Sequence, residues 1–166
     1  MFASKKAGRV KVASGQALVE LALVLPILLL LALGIIELGR YAYIAILVGN
    51  AAHAGAVYGS QSTGDSSDTT GIQNAAYYDF AGGNGSTNNA NGQLNSTLTV
   101  NSSVSCGCDS GGAVTNFDCA NTPSCATGHW VITVSVTAFG TFNSLFNYPG
   151  IPSSITVSRT STMRVL

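Results

Sequence analysis

Hydrophobic and polar positions divide this chain into an apolar helix and a head of alternating strands. From Ala17 to Ile36 every position but Glu20 is non-polar, over 20 residues. As a helix rising about 1.5 Å per residue, that run is about 30 Å long and matches a bilayer core. No strong breaker follows it, so the pattern predicts one helix from Gly15 to about Ser60. Pro26 would break such a helix in water, but a kinked helix in lipid still satisfies its backbone. A secretory signal has a shorter apolar core, about 7–15 residues, and a small-residue cleavage site. This run is longer and has no Ala-x-Ala break before Glu37, so it reads as a retained span.

The polar stretch Ser60–Thr70 ends the long helix. Thr70-Gly71-Ile72-Gln73 reads as a capping box, with Thr70 as N-cap and Gln73 reaching back. A short helix follows to Phe80, with Ile72, Ala75, Ala76 and Phe80 on one side and Gly82-Gly83 as its stop. Asn84–Asn95 is a Gly/Asn-rich loop. Three stretches then alternate with the period of a half-buried strand. Leu94–Val104 puts Leu98, Val100 and Val104 on one face. His129–Phe139 does the same with Trp130, Ile132, Val134, Val136 and Ala138. Ser154–Leu166 does so with Ile155, Val157, Met163 and Val165. Gly140–Ser153 carries Phe142, Leu145, Phe146, Tyr148 and Ile151, too apolar for an ordinary loop. It reads as folding back over the sheet, with docking onto a partner as the alternative. The expected fold is α+β: a long N-terminal transmembrane helix extending into a head with a short helix and a three- to four-stranded antiparallel sheet. The divisions are a leader at 1–15, the helix at 16–60 with its span at about 17–36, and the head at 61–166 with a cysteine loop at 105–128.

The second half of the long helix carries a stripe of small residues, Ala42, Ala45, Gly49, Ala52, Ala56 and Gly59, spaced by 3, 4, 3, 4 and 3. Small residues let backbones approach closely, so the stripe reads as a packing face toward this chain's own head or another subunit. Glu37 and Arg40 are spaced to pair on one helix face, and Tyr41 and Tyr43 fit an interfacial aromatic belt.

Formal charge is balanced, with 7 basic and 7 acidic residues, which argues against a basic nucleic-acid interface. The balance hides an asymmetry. Lys5, Lys6, Arg9 and Lys11 precede the span with no acid among them, and five acids lie beyond Tyr41 against Arg159 and Arg164. By the positive-inside rule the N-terminus is cytoplasmic and the head outside. Four cysteines, Cys106, Cys108, Cys119 and Cys125, lie in that exterior part. In an oxidising compartment they form two disulfides, either 106–119 with 108–125 or 106–125 with 108–119, because 106–108 would close too tight a ring. Zinc is the rival reading, but paired Cys-x-x-Cys knuckles are lacking. His53 and His129 have no acid and nucleophile arranged with them by sequence. No phosphate loop, Gly-x-Ser-x-Gly elbow or His-Glu-x-x-His motif occurs. The chain reads as a non-enzyme without a cofactor.

Glu20 is a carboxylate in an apolar helix, costly unless it reaches an interface or pairs with an amine. A glycine followed five residues later by glutamate, after a basic leader and at the head of an apolar helix, resembles the prepilin processing site. That resemblance implies cleavage by a prepilin peptidase between Gly15 and Gln16, with Glu20 as the assembly carboxylate. The run Gly15-Gln16-Ala17-Leu18-Val19-Glu20-Leu21-Ala22-Leu23-Val24-Leu25-Pro26, closed by Ile36-Glu37-Leu38-Gly39-Arg40, resembles the TadE-like family. Val19, Glu20, Ala22, Leu23 and Pro26 carry that family's Val-Glu-x-Ala-Leu-x-x-Pro core. Ala51–Ala56 resembles its alanine/glycine segment, with His53 where an arginine is common. The resemblance implies a pseudopilin or minor pilin of the tight-adherence, Flp-type pilus, with a pilin-like head. Such a protein would sit in the bacterial inner membrane or the filament, with other pilins, the assembly platform and prepilin peptidase as partners. It would serve filament assembly, adhesion and biofilm formation. The alternatives are a single-pass membrane-anchored binding protein or adhesin, and a type II secretion pseudopilin.

Overall fold

The structure, a computed structural model, describes residues 14–82, 96–112, 114–120, 125–146 and 152–166. The basic leader up to residue 13, Gly83 of the helix stop, the whole Asn84–Asn95 loop including Leu94, and Tyr148 and Ile151 lie outside the described residues. The chain divides after Leu38 into two units.

The first unit contains the apolar half of α1, a helix that runs from Ser14 to Gly59 with Pro26 inside it. The predicted single long helix is therefore present. Its most apolar 18-residue window has a mean hydropathy of 2.8, and none of that window is buried. Leu23 is 69% exposed and Ile35 70% exposed. Apolar surface of this extent is unfavourable in water, and the helix is long and apolar enough to anchor in a membrane.

The second unit is α+β. After α1 come α2 (Thr63–Ser67), α3 (Thr69–Phe80), β1 (Thr97–Asp109), β2 (Val114–Phe117), β3 (His129–Asn143) and β4 (Ser154–Arg164). The strands form one antiparallel sheet in the order β2-β1-β3-β4. The head portion of α1 runs antiparallel to β3. Tyr41 meets Phe142, Gly55 meets Val136 and Gly59 meets Val134. The lengths agree: 18 helical residues rise about 27 Å, and the facing strand residues from Val134 to Phe142 span about 26 Å. The core lies between them and α3. Ile44, Val48, Ala51, Ala52 and Ala56 of α1 and Ile72, Ala76 and Phe80 of α3 pack with Leu98, Val100, Val134, Val136, Ala138 and Phe142. The other face of the sheet is a hydroxyl lattice, in which Thr137 bonds Thr160 at 2.9 Å and Ser135 bonds Thr162 at 3.2 Å.

Several boundaries differ from the pattern reading. β3 runs on to Asn143, because Phe142 continues the inward phase of Ala138 and is buried under α1. Trp130 and Ile132 are only partly buried and Val104 is 36% exposed. The reason is coverage: α1 ends at Gly59 against Val134, so inward positions past that row lose their lid. Past that row burial is shared between faces: Cys106, the partner of Ile132, is buried, and so are Val131 and its partner Gly107 on the opposite face. A side chain at residue 107 would stand 2.6 Å from the Thr115 carbonyl oxygen.

The capping box centred on Thr70 is not what starts α3. Asp68 is the N-cap, and its carboxylate accepts from the Gly71 amide at 3.0 Å. Gln73 does not reach back, but donates to the Val100 carbonyl of β1 at 3.1 Å. A carboxylate acceptor outcompetes a threonine hydroxyl for the orphan amides, and Gln73 satisfies a strand-edge carbonyl instead. The polar stretch before it is not all loop, since Ser62 caps α2 through the Asp65 amide at 3.1 Å. Gly82, with φ of 73°, ends α3 as expected of a left-handed terminator.

Candidate functional site

Gly15, Gln16 and Glu20 lie in the first turns of α1 and are exposed. Helical spacing puts Gln16 and Glu20 on one side, and the Gln16 Nε2 donates to Glu20 Oε1 at 3.2 Å. A Cβ at Gly15 would meet nothing within 4 Å, so its backbone is open to approach. In hydrocarbon a carboxylate keeps a strong demand for further donors. A single amide from its own helix leaves room for a second donor from outside.

The small-residue stripe enters the head unevenly. Ala52, Ala56 and Gly59 are buried, Ala45 and Gly49 are half-buried, and Ala42 is exposed. The buried face follows Ile44, Val48, Ala51, Ala52, Gly55, Ala56 and Gly59. A straight helix drifts against a strict seven-residue repeat by about 20° per heptad, which turns the early members outward. Gly55 and Gly59 explain the close approach. Side chains there would meet Val136 Cγ1 at 3.1 Å and Val134 Cγ2 at 3.0 Å.

Where the head portion of α1 begins, Arg40 and Tyr41 hold Phe142 between them. The Arg40 guanidinium lies 5.3 Å from the ring centroid, and Tyr41 meets the ring edge-on at 5.7 Å. Arg40 also donates to the Asn143 carbonyl at 3.4 Å. Sequence reasoning assigned Arg40 to Glu37 by spacing. The signal for the Phe142 contact is long-range, and no local pattern carries it.

At the opposite end of β1, the four cysteines form Cys106–Cys119 and Cys108–Cys125. Only Cys119 and Cys125 lie in loops, because β1 continues through Cys106 and Cys108 to Asp109. Cys106 and Cys108, two positions apart on one strand, point to the same face, and each takes its own loop partner. The Cys108–Cys125 bridge borders an open groove of about 360 Å³ lined also by Ser110, Thr115, Phe117 and Thr127. Asp109 closes this end by pairing with Arg164 of β4. The Gly111 amide, then Arg164, holds the Asp109 carboxyl below its usual range. His53 and His129 are both exposed. Among the described residues no cluster of three or more His, Cys, Asp or Glu side chains is placed to hold a metal.

The family model for TadE-like protein matches residues 15–57. The matched stretch covers the apolar half of α1, including Gly15 and Glu20, and continues into the part of α1 that forms the head's core. No curated protein and no solved structure matches the chain significantly.

Proposed function

From this TadE-like segment at residues 15–57, which associates the chain with a tight-adherence pilus system, we propose that the protein is a minor pilin or pseudopilin-like subunit of that pilus. It takes part in filament assembly and through it in surface adhesion and biofilm formation. It is a structural subunit rather than an enzyme. The observation that carries the reading is the placement of the match. It begins at Gly15, at the head of an exposed apolar helix, and includes the Gln16–Glu20 pair on one helix side. In this reading a prepilin peptidase cuts between Gly15 and Gln16 on the cytoplasmic side of the inner membrane. The helix holds the subunit in the bilayer with the head outside. Assembly then brings Glu20 to the new N-terminal amine of a neighbouring pilin, where a paired charge removes the penalty of a lone buried anion.

The test is the N-terminus of the mature protein, read by intact mass and terminal peptide sequencing from isolated envelopes. A start at Gln16 supports the proposal. A start within the leader refutes processing and leaves a single-pass anchored head, the alternative function, as the working account.

A further inference from the structure

We propose that a second copy of this chain covers the outer side of α1 in the head, through a parallel, in-register helix pair centred on Asn50. Between Ala42 and Gly59 the exposed residues of α1 are Ala42, Tyr43, Ile46, Asn50, His53 and Val57. The last five are spaced by 3, 4, 3 and 4, and at 3.6 residues per turn they lie on the side away from Ile44, Val48 and Ala51, which face the core. Ile46 is 61% exposed and Val57 40% exposed. The outer side of such a helix ordinarily carries charge. Here no Asp, Glu, Lys or Arg occurs from Tyr41 to Gly64.

Three observations select an identical helix as the occupant. The first is spacing. The stripe supplies the a positions 43, 50 and 57 and the d positions 46 and 53 of a heptad seam. The second is Asn50. An asparagine at a central a position is answered in a parallel pair by the same residue of the other copy, which fixes register at some cost in stability. Among the described residues its side-chain amide has no partner within the chain. An apolar partner would bury that amide unpaired, whereas a second Asn50 offers both a donor and an acceptor. The third is the flanks. Leu47 and Ala54 lie on one side of the seam and Gly49 and Ala56 on the other, so two copies meet without like-charge repulsion between the helices and can approach closely. Arg159 stands on the Gly49 side, its Cγ 3.9 Å from where a Cβ at Gly49 would be. In a parallel pair that side faces the uncharged Leu47–Ala54 flank of the other copy rather than the other Arg159. The contact is isologous and closes at two copies, unlike the screw-related contacts that extend a filament. It goes beyond the pilus reading and does not depend on cleavage at Gly15.

The experiment introduces single cysteines into the full chain, whose native cysteines are all bridged, and oxidises isolated envelopes. Two heptads alone pair weakly, so the copies are read where they are concentrated. Two differently tagged copies are produced together, so that like and unlike positions are both read. Val57→Cys is expected to couple to Val57→Cys, and Ile46→Cys to Ile46→Cys. Ile46→Cys should not couple to Val57→Cys, which lies 11 positions and about 16 Å further along the helix. Tyr78→Cys on α3, 53% exposed, is the control for random collision. Asn50→Asp, which sets two carboxylates against each other, is expected to cut the Val57→Cys product about tenfold. The unfolding midpoint should stay at the parent's, because Asn50 is exposed. Preferred coupling of position 46 to position 57 means an antiparallel or staggered contact and overturns the proposal. So does coupling of Tyr78→Cys at the same level, coupling at no position of the stripe, or a Val57→Cys product that Asn50→Asp leaves unchanged.

Discussion

Val48 occupies the space that a side chain at residue 140 would need. A Cβ built on Gly140 falls inside the contact distance of Val48 Cγ2, and Val48 itself is fully buried. The pair sits where α1 crosses β3, so the missing side chain on the strand sets how near the helix comes. Overpacking at such a point costs about 1–3 kcal/mol, because a β-branched valine has few rotamers into which it can yield. Gly140→Ala is expected to destabilise the head by that amount in urea unfolding of the detergent-solubilised chain. Combined with Val48→Ala the penalty shrinks, since the second change opens the space. Additive losses in the double variant would mean that the two residues do not share this contact.

That contact also marks where the sequence stopped being legible. The long helix, the short helix ending before Gly82 and the inward phases of Leu98, Val100, Val134, Val136 and Ala138 are local periodicities, and all appear in the fold. Gly140 read locally as the end of a strand, because glycine usually weakens one. Only the helix crossing above it turns that glycine into a packing requirement and lets β3 continue to Phe142. The same limit explains Thr70. Its sequence context fits a cap, yet Asp68 two residues earlier is held in place by Tyr58 from α1, a partner that no short window contains. At the N-terminus, the stretch that contains Gly15 and Glu20 lies within the TadE-like match at residues 15–57. The choice between the two cysteine pairings needed the strand register.

The Tyr58–Asp68 link predicts a pH window. The Gly71 amide, and then the Tyr58 hydroxyl at 3.0 Å, hold the Asp68 carboxyl below its ordinary value. The bond to Asp68 in turn pushes the Tyr58 phenol up. A depressed carboxylate contributes stability above its unfolded pKa, about 3.9, and loses it as pH falls through the folded value. A raised phenol contributes below its unfolded pKa, about 10, and loses it as pH rises through the folded value. The Asp68→Asn variant keeps a cap and removes the charge. Its midpoint should lie below the parent's at neutral pH, and the gap should close under acid. For Tyr58→Phe the gap should close toward both extremes. A gap independent of pH for both variants would contradict the linkage.

The two bridges predict a graded response to reduction. Cys106–Cys119 and Cys108–Cys125 close short loops, with separations of 13 and 17 residues. Loops of this length are worth about 3 kcal/mol each through restriction of the unfolded chain. The bridges gather at the β2 end of β1, away from the core beneath α1 and α3. Cys106→Ser with Cys119→Ser is expected to lower the unfolding midpoint while far-ultraviolet circular dichroism stays near the parent's. Non-reducing peptide mapping should recover 106–119 and 108–125. Recovery of 106–125 with 108–119 would reverse the assignment.

Glu20 separates insertion from assembly. Its carboxylate accepts from Gln16 Nε2 at 3.2 Å in the same helix. A neutral amide meets only part of an anion's demand in lipid, where an unpaired acid costs on the order of 2.5–3.5 kcal/mol at the helix centre and less near an end. Under the proposed function, the remainder comes from a neighbour's N-terminal amine, available only after cleavage at Gly15. Glu20→Gln removes the charge and lowers the insertion penalty, so envelope levels of the variant should equal or exceed the parent's. Its mature N-terminus should still be Gln16, because the cleaved bond is more than one helical turn away. What it should lose is recovery in the sheared filament fraction, by tenfold or more if the paired charge is worth about 1.4 kcal/mol. Gly15→Val should act one step earlier, retaining the leader and abolishing recovery. Undiminished filament recovery of Glu20→Gln, measured against a constant envelope pool, would remove the carboxylate from assembly and return it to the role of an interfacial side chain.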